Sequence, residues 1–170
     1  MKQFKKLAAC LLAAVMVLTM LTACGGGMVN AQLDAEKETV FIEALNDYRK
    51  EEGKSALKQD ETMDLVAKRC TRAAVTYTIY PDSVAALSAL ASAAIMPPSP
   101  YTQGDIQVMK DEGRYLRLQI PEAAYSKDAV IRAIQEKGER CALNTDRELT
   151  QYGVSVSTFE GTVYVCMFME

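Results

Sequence analysis

Thiols, carboxylates and phenols are the groups with which this chain could do chemistry, because histidine is absent from all 170 residues. Without it the chain lacks the usual general base at neutral pH and the commonest zinc ligand, so serine-histidine and cysteine-histidine nucleophile systems are excluded in their ordinary forms. Glu43 and Asp47 stand four apart, and Asp60, Glu61 and Asp64 cluster a little further on. Paired carboxylates do acid and base work when burial drives their pKa values apart, but a solvated helix face and the preference of helix starts for negative charge explain these with less. Tyr77, Tyr80, Tyr101 and Tyr115 supply rigid contact area for sugars, peptides or protein partners, or serve as half-buried core. Among the thiols Cys24 differs from the rest in its setting: it closes Leu21-Thr22-Ala23-Cys24 and is followed by Gly25-Gly26-Gly27.

The segment before Cys24 has the order of an export signal. Lys2, Lys5 and Lys6 give a positive start, Leu7 to Leu21 an apolar centre, and small residues lead to the cysteine. The apolar stretch is shorter than the ~20 residues that a spanning helix needs, which disfavours an uncleaved anchor. The run resembles the lipobox of bacterial lipoproteins, and that resemblance implies removal of residues 1–23, acylation of Cys24 and attachment to the extracytoplasmic face of a cell membrane. Residues 24–34, rich in Gly and small polar side chains, then form a flexible tether, and 35–170 a single domain.

Formal net charge is −3, and the leader would carry three lysines away with it. An acidic remainder without a basic run argues against nucleic acid or an anionic lipid surface as a partner. Cys70, Cys141 and Cys166 remain. Outside the cytoplasm one pair could oxidise, with three pairings open and one thiol left over. The alternative is that all three are small buried hydrophobes. No Cys-x-x-Cys spacing supports metal or redox work.

The apolar periodicity places these groups on an α+β framework. Asp34 caps a first helix with Val40, Phe41, Ala44, Leu45 and Tyr48 on one face and Gly53 as its stop. Ser55-Ala56-Leu57 connects to a second helix capped by Asp60, with Met63, Val66, Ala67, Cys70 and Ala74 inward and Asp64, Lys68 and Arg72 toward water. Pro81-Asp82-Ser83 breaks the chain, an Ala-rich helix follows to about Ile95, and Pro97, Pro98 and Pro100 end it. Ile106 and Val108, the turn Asp111-Glu112-Gly113 and Tyr115 to Ile120 read as a hairpin. Ser126 caps a further helix carrying Ala129, Val130, Ala133 and Ile134. Tyr152 to Ser157 and Thr162 to Met169 close the chain as a second hairpin, whose near-continuous apolar last strand is expected at the centre of the sheet.

Three blocks resemble the CAP superfamily of SCP-like domains: Phe41 to Arg49 with its Leu45-Asn46-x-x-Arg49 run, Thr78-Ile79-Tyr80-Pro81-Asp82-Ser83, and the closing hairpin from Tyr152. The resemblance implies a three-layer α-β-α sandwich around a small antiparallel sheet. It also implies a cleft where members carry two histidines and two acidic residues that can hold a metal. Here Thr78, near Tyr80, stands at the first histidine, Leu118 falls near an acidic position, and the second histidine aligns near Gly138 to Arg140. No metal or other cofactor is expected. The resulting expectation is a non-catalytic binding or structural module of the cell envelope, tethered to the membrane and contacting an envelope protein, glycan or lipid. The alternative is a small-ligand or lipid binder, or a hydrolase using a site without histidine.

Overall fold

In the computed structural model, which describes residues 32–79 and 101–170, strand β1 (Gln32–Leu33) leads into helix α1 (Ala35–Glu51). Asp34 starts that helix as the sequence predicts, its carboxylate accepting the Lys37 amide at 3.1 Å. Strand β2 (Lys58–Gln59) follows, and Leu57 just before it is buried. Helix α2 (Glu61–Ile79) is capped by Asp60, whose Oδ1 accepts the Met63 amide at 2.8 Å.

Where a strand is expected at Ile106 and Val108, the chain instead forms helix α3 (Gln103–Asp111). Thr102 and Asp105 make a reciprocal capping box that satisfies two amides at the helix start. Ile106 and Met109, three apart, are the buried pair, while Val108 faces solvent. The local alternation is therefore the shadow of a helical stripe. Gly113 (φ 70) then ends the helix, so the expected hairpin turn is a helix stop.

Strand β3 (Tyr115–Pro121), helix α4 (Lys127–Gln135, capped by Ser126), and the hairpin of β4 (Gln151–Phe159) and β5 (Thr162–Met169) complete the framework. The strand order is β1-β4-β5-β3, with β5 antiparallel to both neighbours. The outer edge of β4 is covered at one end by antiparallel β1 and at the other by β2, which runs parallel to it. The sheet is thus mixed rather than antiparallel, because the chain reaches β2 from α1 and passes straight into α2 without room to reverse. Val163 to Met169 are all buried, as expected of a central strand.

Alternation along β5 divides the core. Val163, Val165, Met167 and Met169 join Leu116, Leu118 and Ile120 of β3 beneath α1 and α4. Phe168 lies on the opposite face with Met63 and Val66 of α2 and Ile106 and Met109 of α3. Gly153 of β4 lets α2 sit directly on the sheet, since a Cβ there would fall 2.1 Å from the Met63 carbonyl carbon. Among the described residues the fold is α+β, four helices packed against a mixed sheet.

Candidate functional site

Helices α2 and α3 begin side by side at one end of the sheet, next to the start of β4 and the end of β5. Their junction is an open groove of about 540 Å³, lined among others by Asp60, Tyr101, Asp105, Arg114, Gln151 and Glu170. Tyr101 donates to Glu170 Oε2 at 3.0 Å, and Gln151 Nε2 donates to the same oxygen at 3.2 Å. Burial, and then the bond to Glu170, push the Tyr101 hydroxyl up to about 12, so it stays protonated at neutral pH. Asp60 and Asp105 are held in the caps of α2 and α3, and the two bonds from Thr102 hold Asp105 below the usual carboxylate range. Arg114 is paired to Glu112 at 2.8 Å, and Glu112 also takes Arg147. Each of these ionised groups already has a structural partner, so the groove offers contact surface and hydrogen bonding rather than a free acid or base.

A second cluster lies inside the α2/α3 face. Tyr115 Oη is 3.5 Å from Cys166 Sγ, and its ring packs on Phe168 with centroids 4.8 Å apart. Burial first, then the neighbouring Cys166, push the Cys70 thiol up to about 12. Burial also raises Cys166, although the neighbouring Tyr115 and Thr71 hydroxyls pull the other way. Thiols held protonated are poor nucleophiles, and this cluster is packing. Cys141 is buried in the core beneath α1 and α4, on the other side of the sheet. All three are free thiols here, which leaves the pairing question as the sequence posed it.

A third grouping escaped sequence reading. Among the described residues the outer edge of β4 has no strand partner between β1 and β2, and carboxylates take its place. Asp64 accepts the Val154 amide at 2.8 Å, and Glu38 accepts that of Val156. Asp64, expected to face water, is half-buried for this reason. Burial, and then the charge of Asp64, raise the Glu38 carboxyl. The signal was available: Glu38 lies three residues before Phe41 and Asp64 three before Ala67, each on its helix's apolar stripe.

Of the other candidates, Glu43 and Asp47 are exposed and share Lys127 at 3.1 and 3.0 Å, the solvated face that the sequence suggested. Leu118 is buried beneath α1 and α4, opposite Val165. Arg140 is exposed at the end of a short 3₁₀ turn (Gly138–Arg140). Thr78 falls in the last turn of α2, but its side chain lies outside the described residues, as do that of Tyr77, all of Tyr80, the Ala-rich and proline stretch, and Cys24. Among the described residues, no three His, Cys, Asp or Glu side chains converge to hold a metal ion. The space between Met63, Ile106, Met109 and Phe168 contains no water-sized void. Comparison with family models, curated proteins and solved structures finds no match. Among the described residues no helix is long and apolar enough to cross a membrane.

Proposed function

We propose that this chain is a lipoprotein tethered through Cys24 to the extracytoplasmic face of a cell membrane, and that its domain is a CAP-like α-β-α sandwich that binds rather than catalyses. Helices packed on both faces of the sheet suit such a sandwich, and the absence of histidine from the sequence suits a cleft without the family's metal. The observation that carries the non-catalytic reading is the commitment of Asp60, Asp105, Arg114 and Glu170 to caps, an ion pair and hydrogen bonds. Such engagement suits a structural role for these groups better than proton exchange with a substrate. The groove at the start of α2 and α3 is the binding face, with Tyr101 as its rigid anchor.

Expression of the full chain in a bacterial host with labelled palmitate tests the anchor. The wild type is expected to carry label and to sediment with membranes, and Cys24→Ser to do neither; an unlabelled wild type overturns the tether. Elemental analysis of the same protein tests the domain, since stoichiometric zinc would contradict a metal-free binder.

A further inference from the structure

Arg49 is a buried cation with no ion-pair partner among the described residues. It lies on the apolar stripe of α1, eight residues after Phe41, and only 4% of it is exposed. Of the five donors on its guanidinium, Nε–H is bound to the Ser55 carbonyl at 2.7 Å, and Nη1 is buried without a partner. Burying a guanidinium without an anion is costly. The cost shows in the lowered pKa of Arg49, whose sole cause is burial.

Arg49 lines an open groove of about 690 Å³ at the end of α1, together with Glu52, Lys54, Asp146, Arg147 and Glu148. The other two cations there are spoken for: Lys54 donates to the Leu143 and Thr145 carbonyls at 2.9 and 2.8 Å, and Arg147 is paired to Glu112 at 2.9 Å. The three carboxylates form no ion pair with Arg49. A cation with unused donors at the base and acidic groups at the rim sort ligands by charge. A carboxylate satisfies a guanidinium with two parallel bonds. A dianion would meet repulsion from Glu52, Asp146 and Glu148, whereas an ammonium group would be welcomed by them.

From this we infer that the Arg49 groove binds a zwitterion, a free amino acid or short peptide, with its carboxylate on Arg49 and its ammonium on the acidic rim. The volume lies within the range of small-molecule sites. This groove adjoins the Tyr101 groove, since Thr150 of one and Gln151 of the other both bond the Glu170 carbonyl, but Arg49 lines this one, and the reading does not depend on acylation.

The test is a side-chain NMR titration of the full ¹⁵N-labelled chain in detergent with glycylglycine, acetate and inorganic phosphate. Glycylglycine should shift the Arg49 Nε–H signal saturably, and half-saturate at a concentration about tenfold below acetate or phosphate, the worth of one additional charge-assisted contact. Read on the backbone amides of the groove wall, Ser55 and Thr150, Arg49→Lys, which keeps the charge and loses the fork, should abolish the saturable shift that the wild type shows there. Asp146→Asn with Glu148→Gln, on the exposed rim, should remove the preference for glycylglycine while acetate binding persists. No saturable shift in the wild type, equal binding by folded Arg49→Lys, or tighter phosphate overturns the assignment. If Arg49→Lys fails to fold, the rim variant decides: a lost preference supports the zwitterion and an unchanged one overturns it.

Discussion

The two faces of the sheet are built to different standards. Beneath α1 and α4 the strands present Leu116, Leu118, Ile120, Val154, Val156, Val163, Val165, Met167 and Met169, an aliphatic surface that meets Phe41, Leu45, Val130 and Ile134. Beneath α2 the same strands present Gly153, Ser155, Ser157 and Cys166 between the rings of Tyr164 and Phe168, and α2 answers with Ala67, Thr71 and Ala74 between Met63 and Val75. Small residues allow close approach, and the hydroxyls must then find partners without water. Thr71 does so, donating to the Ala67 carbonyl at 2.9 Å, but the Ser155 and Ser157 hydroxyls are buried with none. One face gains its stability from burying carbon. The other trades some of that for proximity.

The largest effect should follow from a cavity in the aliphatic face. Phe41, on the inward face of α1, is fully buried, and Phe41→Ala removes its ring from the core. We expect a loss of about 3–5 kcal/mol, read as a lower urea midpoint with unchanged slope. A loss under about 1 kcal/mol, the scale of a surface change, would mean that this face is not the main source of stability.

Asp64→Ala attacks the margin of the other face. It leaves the Val154 amide without an acceptor, for an expected cost of about 1–3 kcal/mol. Hydrogen exchange at Val154 should accelerate, whereas exchange at Val165, within the paired centre of the sheet, should follow global stability alone. The variant also removes a charge that raises Glu38. A carboxyl raised in the folded state contributes stability below its unfolded pKa that is lost as pH rises through the folded one, so Asp64→Ala should shrink that loss. An unchanged profile would show that burial alone sets Glu38.

The reason the sequence revealed one face better than the other is physical. Apolar periodicity reports burial of carbon, and it located α1, α2, α4, the closing hairpin and the central place of β5. It misread α3, because Ile106 and Val108 alternate within a segment whose decisive information is the Thr102–Asp105 capping box and the Ile106–Met109 spacing. It also said nothing of the edge of β4. The gap between β1 and β2 is filled by Glu38 and Asp64, charged residues that a pattern search assigns to water. Glu38, Arg49 and Asp64 share one signature, a charge on an otherwise apolar stripe. Reading such positions as requests for a polar partner would have found both the sheet-edge carboxylates and the unpaired guanidinium. The Tyr101 groove was legible only as a list of tyrosines, since its walls come from chain segments far apart in sequence.

The smallest effect is the most discriminating. Ser155 is fully buried opposite Cys166, and its hydroxyl has no hydrogen-bond partner; the contact from Thr71 is to the Ser155 carbonyl, at 3.3 Å. Ser155→Ala deletes an unpaired polar atom, keeps the Thr71 contact and leaves a void no larger than a hydroxyl. Burying an unpaired hydroxyl costs on the order of 1–3 kcal/mol, partly offset by the packing it provides, so the variant should be neutral or more stable by up to about 1 kcal/mol. On the aliphatic face, by contrast, removal of any side-chain atom should destabilise. A loss above about 1 kcal/mol for Ser155→Ala would mean that the Ser155 hydroxyl has a partner. At that position the contrast between the two faces would then reduce to one of side-chain size, because a paired hydroxyl exacts no penalty for the close approach of α2.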